Sequence, residues 1–184
     1  MAEIHGKCAA GFEGVRDAFV ANFDRGLDVG ASVAVTHNGE SVVDLWGGDC
    51  DANGTPWKED TIVNVYSTTK TMAATCILML ADRGLVDLYA PVAKYWPEFA
   101  QNGKENVLVA HVMGHTAGLS GFDEPTPKDL YDWDDIVGRL AAQAPWWEPG
   151  TKSGYHAVTQ GFLQGEIVRR VTGKTIGNFF REEV

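Results

Sequence analysis

Apolar residues recur at helical spacing near the start of the chain and then give way to strand-like runs. Residues 10–26 place phenylalanines and valines about one helical turn apart and end at a glycine, which predicts an amphipathic helix. Residues 31–36 and 41–46 are rich in β-branched side chains, and an Asn-Gly pair at 38–39 lies between them. Because Asn-Gly favours a tight hairpin turn, the pattern predicts a two-stranded β-hairpin.

A different pattern begins at residue 67, where the chain is apolar on nearly every side of a helix that ends at Gly84. A helix that is apolar all round is expected in the middle of its domain. Prolines then punctuate the sequence and no further strand is evident. Helices are predicted over residues 107–113, 133–143, 155–171 and 176–183. The chain therefore divides into a helix-and-hairpin part, residues 1–63, and a mostly helical part, residues 64–184.

A single hairpin cannot bury one of its faces or satisfy the hydrogen bonds at its two edges. Either a homo-oligomer or a complementing C-terminal segment is expected to complete the sheet. The last residues, 179–184, still follow a helical pattern and carry no stop signal. The sequence therefore predicts an α+β fold of which this chain is an N-terminal portion.

The composition mainly argues against certain classes of partner and location. The 184 residues suffice for a real core, and 45% apolar with 22% charged residues is ordinary for a globular protein. The net charge of −10 disfavours partners such as nucleic acid or an anionic membrane surface. No secretory signal or membrane-length apolar run is evident, and the three cysteines have unrelated spacings. We therefore expect free thiols and a cytoplasmic location.

The candidate chemistry is concentrated at the head of the apolar helix, in the segment Tyr-Ser-Thr-Thr-Lys. Ser67 and Lys70 are three residues apart, a spacing that places two side chains on the same face of a helix. A serine hydroxyl needs an adjacent base to become a nucleophile. Apolar surroundings penalise the charged form of a lysine, so Lys70 can serve as that base. Because the same spacing also arises by chance, the pair alone does not establish a catalytic site.

Two further segments accompany this pair, His-Thr-Ala-Gly-Leu-Ser-Gly at 115–121 and Trp-Glu-Pro-Gly-Thr-Lys-Ser-Gly-Tyr-His at 147–156. In this order and context, the motifs resemble those of the serine β-lactamase and penicillin-binding-protein superfamily. The likeness is greatest to class C β-lactamases and family VIII carboxylesterases, and it runs from near Gly30 to the last helix. It implies a β-lactamase/transpeptidase-like fold whose C-terminal sheet strands are missing here.

The resemblance implies roles for several residues. Ser67 matches the acylated serine, Lys70 the lysine of a Ser-x-x-Lys motif, and Tyr155 the tyrosine of a Tyr-x-Asn motif. In that family the phenol and the amine share the transfer of the serine proton. His156 and Trp147 are expected at the substrate site. The alternative for His156 is a hydrogen bond to backbone, and the alternative for Trp147 is packing between helices.

Two departures from the family pattern bear on activity. Ala157 stands where the Tyr-x-Asn motif has its asparagine. In the family that asparagine resembles a binding group for the amide side chain of a β-lactam or peptide. Its absence here favours a small ester as the substrate. The family's third motif, on a later strand that supplies one oxyanion-hole donor, is absent, since Gly-Lys-Thr at 173–175 follows a helix. Losing such a donor costs about a hundred- to a thousand-fold in rate, so these residues alone should be weakly active or inactive.

The sequence thus predicts a carboxylesterase that cleaves short-chain esters through an acyl-enzyme on Ser67, with no cofactor and no metal. The alternatives are a β-lactamase or D-Ala-D-Ala carboxypeptidase, and a non-catalytic fragment that assembles through its open sheet edge. His111 and His115 have metal-pair spacing, but no glutamate follows His111 as in a zinc-protease motif. The segment around Ser120, Gly-Leu-Ser-Gly, only approximates the nucleophile elbow of an α/β-hydrolase.

Overall fold

A computed structural model describes residues 2–184 and divides the chain into two compact units. The first unit extends to Asn64, and the second runs from Val65 to Val184. The sequence placed this boundary one position earlier, before Asn64. All of the predicted catalytic residues fall in the second unit, so their geometry belongs to one folded body.

The first unit is an antiparallel sheet with one helix. Its strands are β1 (Ile4–Cys8), β2 (Gly30–His37) and β3 (Glu40–Gly48), arranged in the order β1-β3-β2, and α1 (Glu13–Asp24) connects β1 to β2. The predicted hairpin is confirmed, because β2 pairs with β3 across a turn at residues 38 and 39. Both turn residues have positive φ, 52° and 82°, which is the conformation that makes Asn-Gly the preferred pair there.

β1 is a strand that the sequence analysis did not predict. It runs antiparallel to β3, with Cys8 opposite Val43. Its sequence, Ile-His-Gly-Lys-Cys, has a central glycine and no run of β-branched residues, so it carries little strand signal of its own. Gly6 is required because a Cβ at this position would lie 2.0 Å from the carbonyl oxygen of Asp44. The sheet therefore has three strands, and β1 forms because it pairs with β3.

The second unit is helical, and its helices agree with the predicted ones apart from their ends. They are α2 (Thr69–Asp82), α3 (Val109–Met113), α4 (Trp133–Ala142), α5 (Thr159–Thr172) and α6 (Ile176–Glu183). α5 packs against α2, α4 and α6, which makes it the centre of the unit. It begins at Thr159 and not at residue 155, so Tyr155 lies in the preceding loop. None of the helices among the described residues is long and apolar enough to span a bilayer.

α2 is not buried on every side, contrary to the prediction from its apolar sequence. Cys76, Ile77 and Leu80 are fully buried in the core, but Met72 and Leu78 are 40% and 50% exposed. One face of α2 meets α5 and α6, while these two side chains lie away from the core. An apolar helix surface favours burial against other elements, but within residues 2–184 other elements cover only part of the surface of α2.

Glu166 is a fully buried carboxylate in the middle of α5 that links several elements. It accepts hydrogen bonds from Trp133 Nε1 at the start of α4, at 2.9 Å, and from Arg169 Nε and Arg170 Nε, each at 2.7 Å. Arg170 also pairs with Glu98 at 3.0 Å. Burial by itself raises the pKa of Glu166, but the hydrogen bonds from the two arginines and Trp133 outweigh it and lower the pKa below 4.5.

The stability of the second unit should therefore depend on Glu166 in acid. Because the pKa is lower in the folded state, the carboxylate stabilises the fold above its ordinary pKa of 4.5, and this contribution is lost as the pH falls through the folded-state value. We expect Glu166→Gln to lower the free energy of unfolding at neutral pH by about 1–3 kcal/mol and to flatten its acid dependence. Urea denaturation followed by helical circular dichroism over a pH series measures both effects.

Glu183→Gln is the matched control for this prediction. Glu183 pairs with Arg83 at 2.9 Å, but both side chains are partly exposed, so its loss should change the free energy of unfolding by less than about 1 kcal/mol. An equal loss in the two variants, or an acid dependence that survives Glu166→Gln, would contradict the role assigned to Glu166.

Candidate active site

Ser67 lies in a single 3-10 turn, Tyr66–Thr68, that leads directly into α2. Residues 61–65 are rich in β-branched side chains but form no strand, so the segment that leads to Ser67 is irregular. Tyr66 has a φ of 45°, a left-handed conformation that bulky residues rarely adopt. The strained residue therefore stands immediately before Ser67, where the chain turns into the helix.

Lys70 lies in the first turn of α2, and its amine is the centre of the site. Lys70 Nζ is 3.3 Å from Ser67 Oγ and 2.7 Å from the carbonyl oxygen of Ala157, to which it donates hydrogen bonds. The same nitrogen lies 5.0 Å from the centre of the Tyr155 ring. The apolar enclosure predicted for Lys70 is not found, because the side chain is only half-buried and polar atoms surround its amine. The contact between Lys70 Nζ and Ser67 Oγ agrees with the prediction from their three-residue spacing.

Tyr155 comes from the loop before α5, and the fold brings its phenol to the same point. Hydrogen bonding to Ser67 is the main reason that the pKa of Tyr155 lies below 10.0. Desolvation raises the pKa, whereas hydrogen bonding to Lys70 and the positive charge of Lys70 lower it further. The residue is 54% exposed, so a small molecule can approach the phenol. The structure thus brings Ser67 and Tyr155 together around the amine of Lys70.

His156 follows Tyr155 and is fully buried. Its Nε2 accepts the N–H of Leu119 at 3.1 Å, and its Nδ1 lies 2.6 Å from the carbonyl oxygen of Gly154. Since Nε2 is an acceptor, Nδ1 carries the proton and donates it to Gly154. Burial lowers the pKa of His156 below 6.5, which favours this neutral form. His156 is therefore bonded to backbone through both ring nitrogens, and its place at the substrate site stays a prediction.

Trp147 packs against the loop that carries Tyr155. Its indole meets the His156 ring edge-on, with centroids 6.2 Å apart, and it lies over Gly154, where a Cβ would come within 2.4 Å of the indole. Trp147 Nε1 is buried without a hydrogen-bond partner among the residues that the structure describes. The side chain therefore supports the loop by packing, and its place at the substrate site stays a prediction.

The two histidines weighed as a metal pair have other partners. His111 Nδ1 accepts the N–H of Leu108 at 3.2 Å, and His115 Nδ1 accepts the N–H of His156 at 3.0 Å. Over residues 2–184, no cluster of three or more His, Cys, Asp or Glu side chains is arranged to hold a metal ion. The Nδ1 of each histidine instead accepts one main-chain N–H.

Removing a hydrogen-bond partner of Tyr155 should raise its pKa. We expect Ser67→Ala, which removes the largest cause of the lowering, to move the pKa of Tyr155 up toward 10.0, and Lys70→Met to move it in the same direction. The measurement is a pH titration of tyrosinate absorbance, with the Tyr155→Phe titration subtracted to isolate one of five tyrosines. Ser120→Ala removes a serine hydroxyl elsewhere and should leave the difference titration unchanged. An unaltered pKa in Ser67→Ala would show that the two hydroxyls do not interact.

Known proteins share both sequence and fold with this chain. The family model described as Beta-lactamase matches residues 19–184. The esterase/beta-lactamase LipL of Mycobacterium tuberculosis (strain ATCC 25618 / H37Rv) is 45% identical over 182 residues, which cover 98% of this chain and 42% of LipL. The crystal structure of a family VIII carboxylesterase has a TM-score of 0.91 at 55% identity, covering 99% of this chain and 50% of that one. A penicillin-binding protein homologue from Caulobacter crescentus has a TM-score of 0.93 at 46% identity, with the same coverage.

The chain spans about half the length of the relatives that it matches. Its α+β arrangement is the N-terminal portion of the β-lactamase/transpeptidase-like fold of these neighbours, as the sequence predicts. The resemblance inferred from the motifs is confirmed, and the chain belongs to the β-lactamase family.

Proposed function

We propose that this chain carries the catalytic residues of a serine hydrolase, a carboxylesterase acting on short-chain esters. The observation that carries the proposal is the convergence of three residues: Lys70 Nζ lies 3.3 Å from Ser67 Oγ and 5.0 Å from the centre of the Tyr155 ring. Hydrogen bonding to Ser67, and less so to Lys70, lowers the pKa of Tyr155. LipL is described as an esterase and β-lactamase, and a structural neighbour as a carboxylesterase, which supports hydrolysis as the reaction class.

The reaction is acyl transfer to water in two steps. Ser67 Oγ attacks the ester carbonyl carbon while its proton passes to Lys70 or Tyr155, and from there to the oxygen of the departing alcohol. Water then attacks the acyl-enzyme, its proton returns by the same route, and the acid leaves with Ser67 restored. The lowered pKa of Tyr155 increases the fraction of phenolate, the form of the phenol that can accept a proton.

The main-chain N–H of Ser67 is the first oxyanion-hole donor that the family resemblance implies. A second donor is not identified among residues 2–184. Because losing one such donor typically costs about a hundred- to a thousand-fold in rate, weak activity of these 184 residues by themselves stays a prediction.

The preference for esters rests on Ala157. Its carbonyl oxygen accepts the hydrogen bond from Lys70, while its exposed methyl group stands where the family pattern has an asparagine amide. The main chain therefore serves the catalytic amine, and the side chain offers no hydrogen bond to an amide substituent of a substrate. A β-lactamase or D-Ala-D-Ala carboxypeptidase is the second candidate, favoured by the penicillin-binding protein homologue among the structural neighbours.

Assembly through the open sheet edges, completion of the sheet by a C-terminal segment, and a cytoplasmic location stay predictions. β1 and β2 are the outer strands of the sheet, so each has one side without a strand partner in the described chain.

The nucleophile can be tested by covalent labelling of the whole protein that contains this chain. A fluorophosphonate should form one adduct by displacement of fluoride at Ser67, detected by intact mass, and Ser67→Ala should form none. Ser120→Ala is the matched control, since it removes the serine of the elbow-like segment, and it should label like the wild type. An adduct that survives Ser67→Ala would rule out Ser67 as the nucleophile. Equal loss in Ser120→Ala would contradict the assignment, because labelling would then not depend on Ser67 specifically.

The substrate class can be tested by comparing a p-nitrophenyl ester with a chromogenic cephalosporin. We expect the ester to have the higher kcat/KM, and Ala157→Asn to raise the cephalosporin value relative to the ester value by about ten-fold, the worth of one hydrogen bond. Ala157→Leu adds similar bulk without an amide and should give no such gain. A wild-type preference for the cephalosporin would replace the carboxylesterase assignment by β-lactamase.

A further inference from the structure

Both main-chain N–H groups that flank Tyr155 are bonded to one residue, His115. Its carbonyl oxygen accepts the N–H of Gly154 at 3.1 Å, and its ring Nδ1 accepts the N–H of His156 at 3.0 Å. The His115 ring also lies against the ring of Tyr155, with centroids 4.9 Å apart and planes inclined by 51°. His115 therefore touches the loop before, at and after the tyrosine.

The backbone of His115 is set for this contact. Its φ is 60°, in the left-handed region where histidine and asparagine occur more often than most other non-glycine residues. It follows the short helix α3, whose last carbonyl groups, those of Val112 and Met113, each accept a hydrogen bond from Gln160 Nε2 at 3.1 Å. Gln160 lies in the first turn of α5. The segment that carries His115 is thus tied to the same helix that follows Tyr155.

The ring of His115 is suited to accept a hydrogen bond at neutral pH. Burial, and to a smaller extent the charge of Lys70, lower the pKa of His115 below 6.5. The neutral ring leaves Nδ1 free to accept the N–H of His156, and a protonated ring would not.

We propose that His115 is a positioning residue of the active site, which holds the phenol of Tyr155 in reach of Ser67 and Lys70. The inference rests on the proposed function of those three residues. In this proposal His115 acts through Tyr155: its Nδ1 and its carbonyl oxygen hold main-chain N–H groups on either side of the tyrosine. A displacement of about 1 Å at a reacting group can cost about a hundred-fold in rate, so a loop that moves without His115 should slow the chemical step.

His115→Gly and His115→Asn separate the parts of this role. Glycine relieves the left-handed backbone and keeps the carbonyl acceptor, but it removes the ring. Asparagine tolerates the same φ and places Oδ1 where His115 has Nδ1, so it restores the bond to the N–H of His156. His111→Ala is the matched control, since it removes a histidine Nδ1 that accepts the N–H of Leu108 at the start of α3 and not one beside Tyr155.

The test measures fluorophosphonate labelling of the whole protein, with the rate of the chemical step separated from the affinity of the initial complex. We expect His115→Gly to slow the chemical step by about ten- to a hundred-fold without changing that affinity. His115→Asn should recover most of the rate, and His111→Ala should keep the wild-type rate. In parallel, the tyrosinate titration should show the pKa of Tyr155 moving up toward 10.0 in His115→Gly and staying low in His111→Ala.

The outcomes distinguish this inference from the proposed function. If wild-type protein is not labelled at Ser67, the proposed function fails, and the Tyr155 titration still tests the positioning role. If wild-type protein is labelled and His115→Gly reacts at the same rate with the same Tyr155 pKa, the positioning role is overturned. Equal slowing by His111→Ala would overturn it as well, because the effect would then follow from general loosening of the unit.

Discussion

The hydrogen bond from Lys70 Nζ to the carbonyl oxygen of Ala157 joins two segments that are 87 residues apart in the chain. It holds the head of α2 against the loop before α5, and the same amine then lies within reach of Ser67 and Tyr155. Because the acceptor at Ala157 is a main-chain atom, the side chain at this position can change without breaking the contact. The geometry of the proposed catalytic residues and the proposed substrate preference are therefore separable at a single residue.

The rest of the second unit makes this contact possible by fixing α5. Leu163, Ile167 and Val168 are fully buried in its core face, while Glu166 ties the helix to α4 through Trp133. A buried carboxylate is costly unless its oxygens are well paired, so this link also demands an accurate arrangement of the two arginines beside it. A helix held in this way gives the loop at its N-terminus a rigid base.

Two loops meet at that base, and their contacts are mostly hydrogen bonds to main chain. Thr159 Oγ1 donates to the carbonyl oxygen of Leu119 at 2.5 Å, and His156 receives the N–H of the same residue. His115 closes the arrangement at Tyr155. The polar side chains around the proposed catalytic residues thus serve to hold backbone, which explains why the buried His156 directly follows the exposed Tyr155.

The sequence by itself determined the elements whose signals are local and the family to which the motifs belong. Asn38-Gly39 specifies its hairpin because both residues readily take positive φ, and the three-residue spacing of Ser67 and Lys70 places their side chains together on any helical turn. Only the tertiary structure decided β1, the position of Tyr155 outside α5, the polar surroundings of Lys70 and the contacts of His115. Each of these depends on partners far away in the chain, such as β3 for Gly6, or His156 for His115 across 41 residues. Local propensity acts over a few residues, whereas such contacts exist only after the helices and loops have packed.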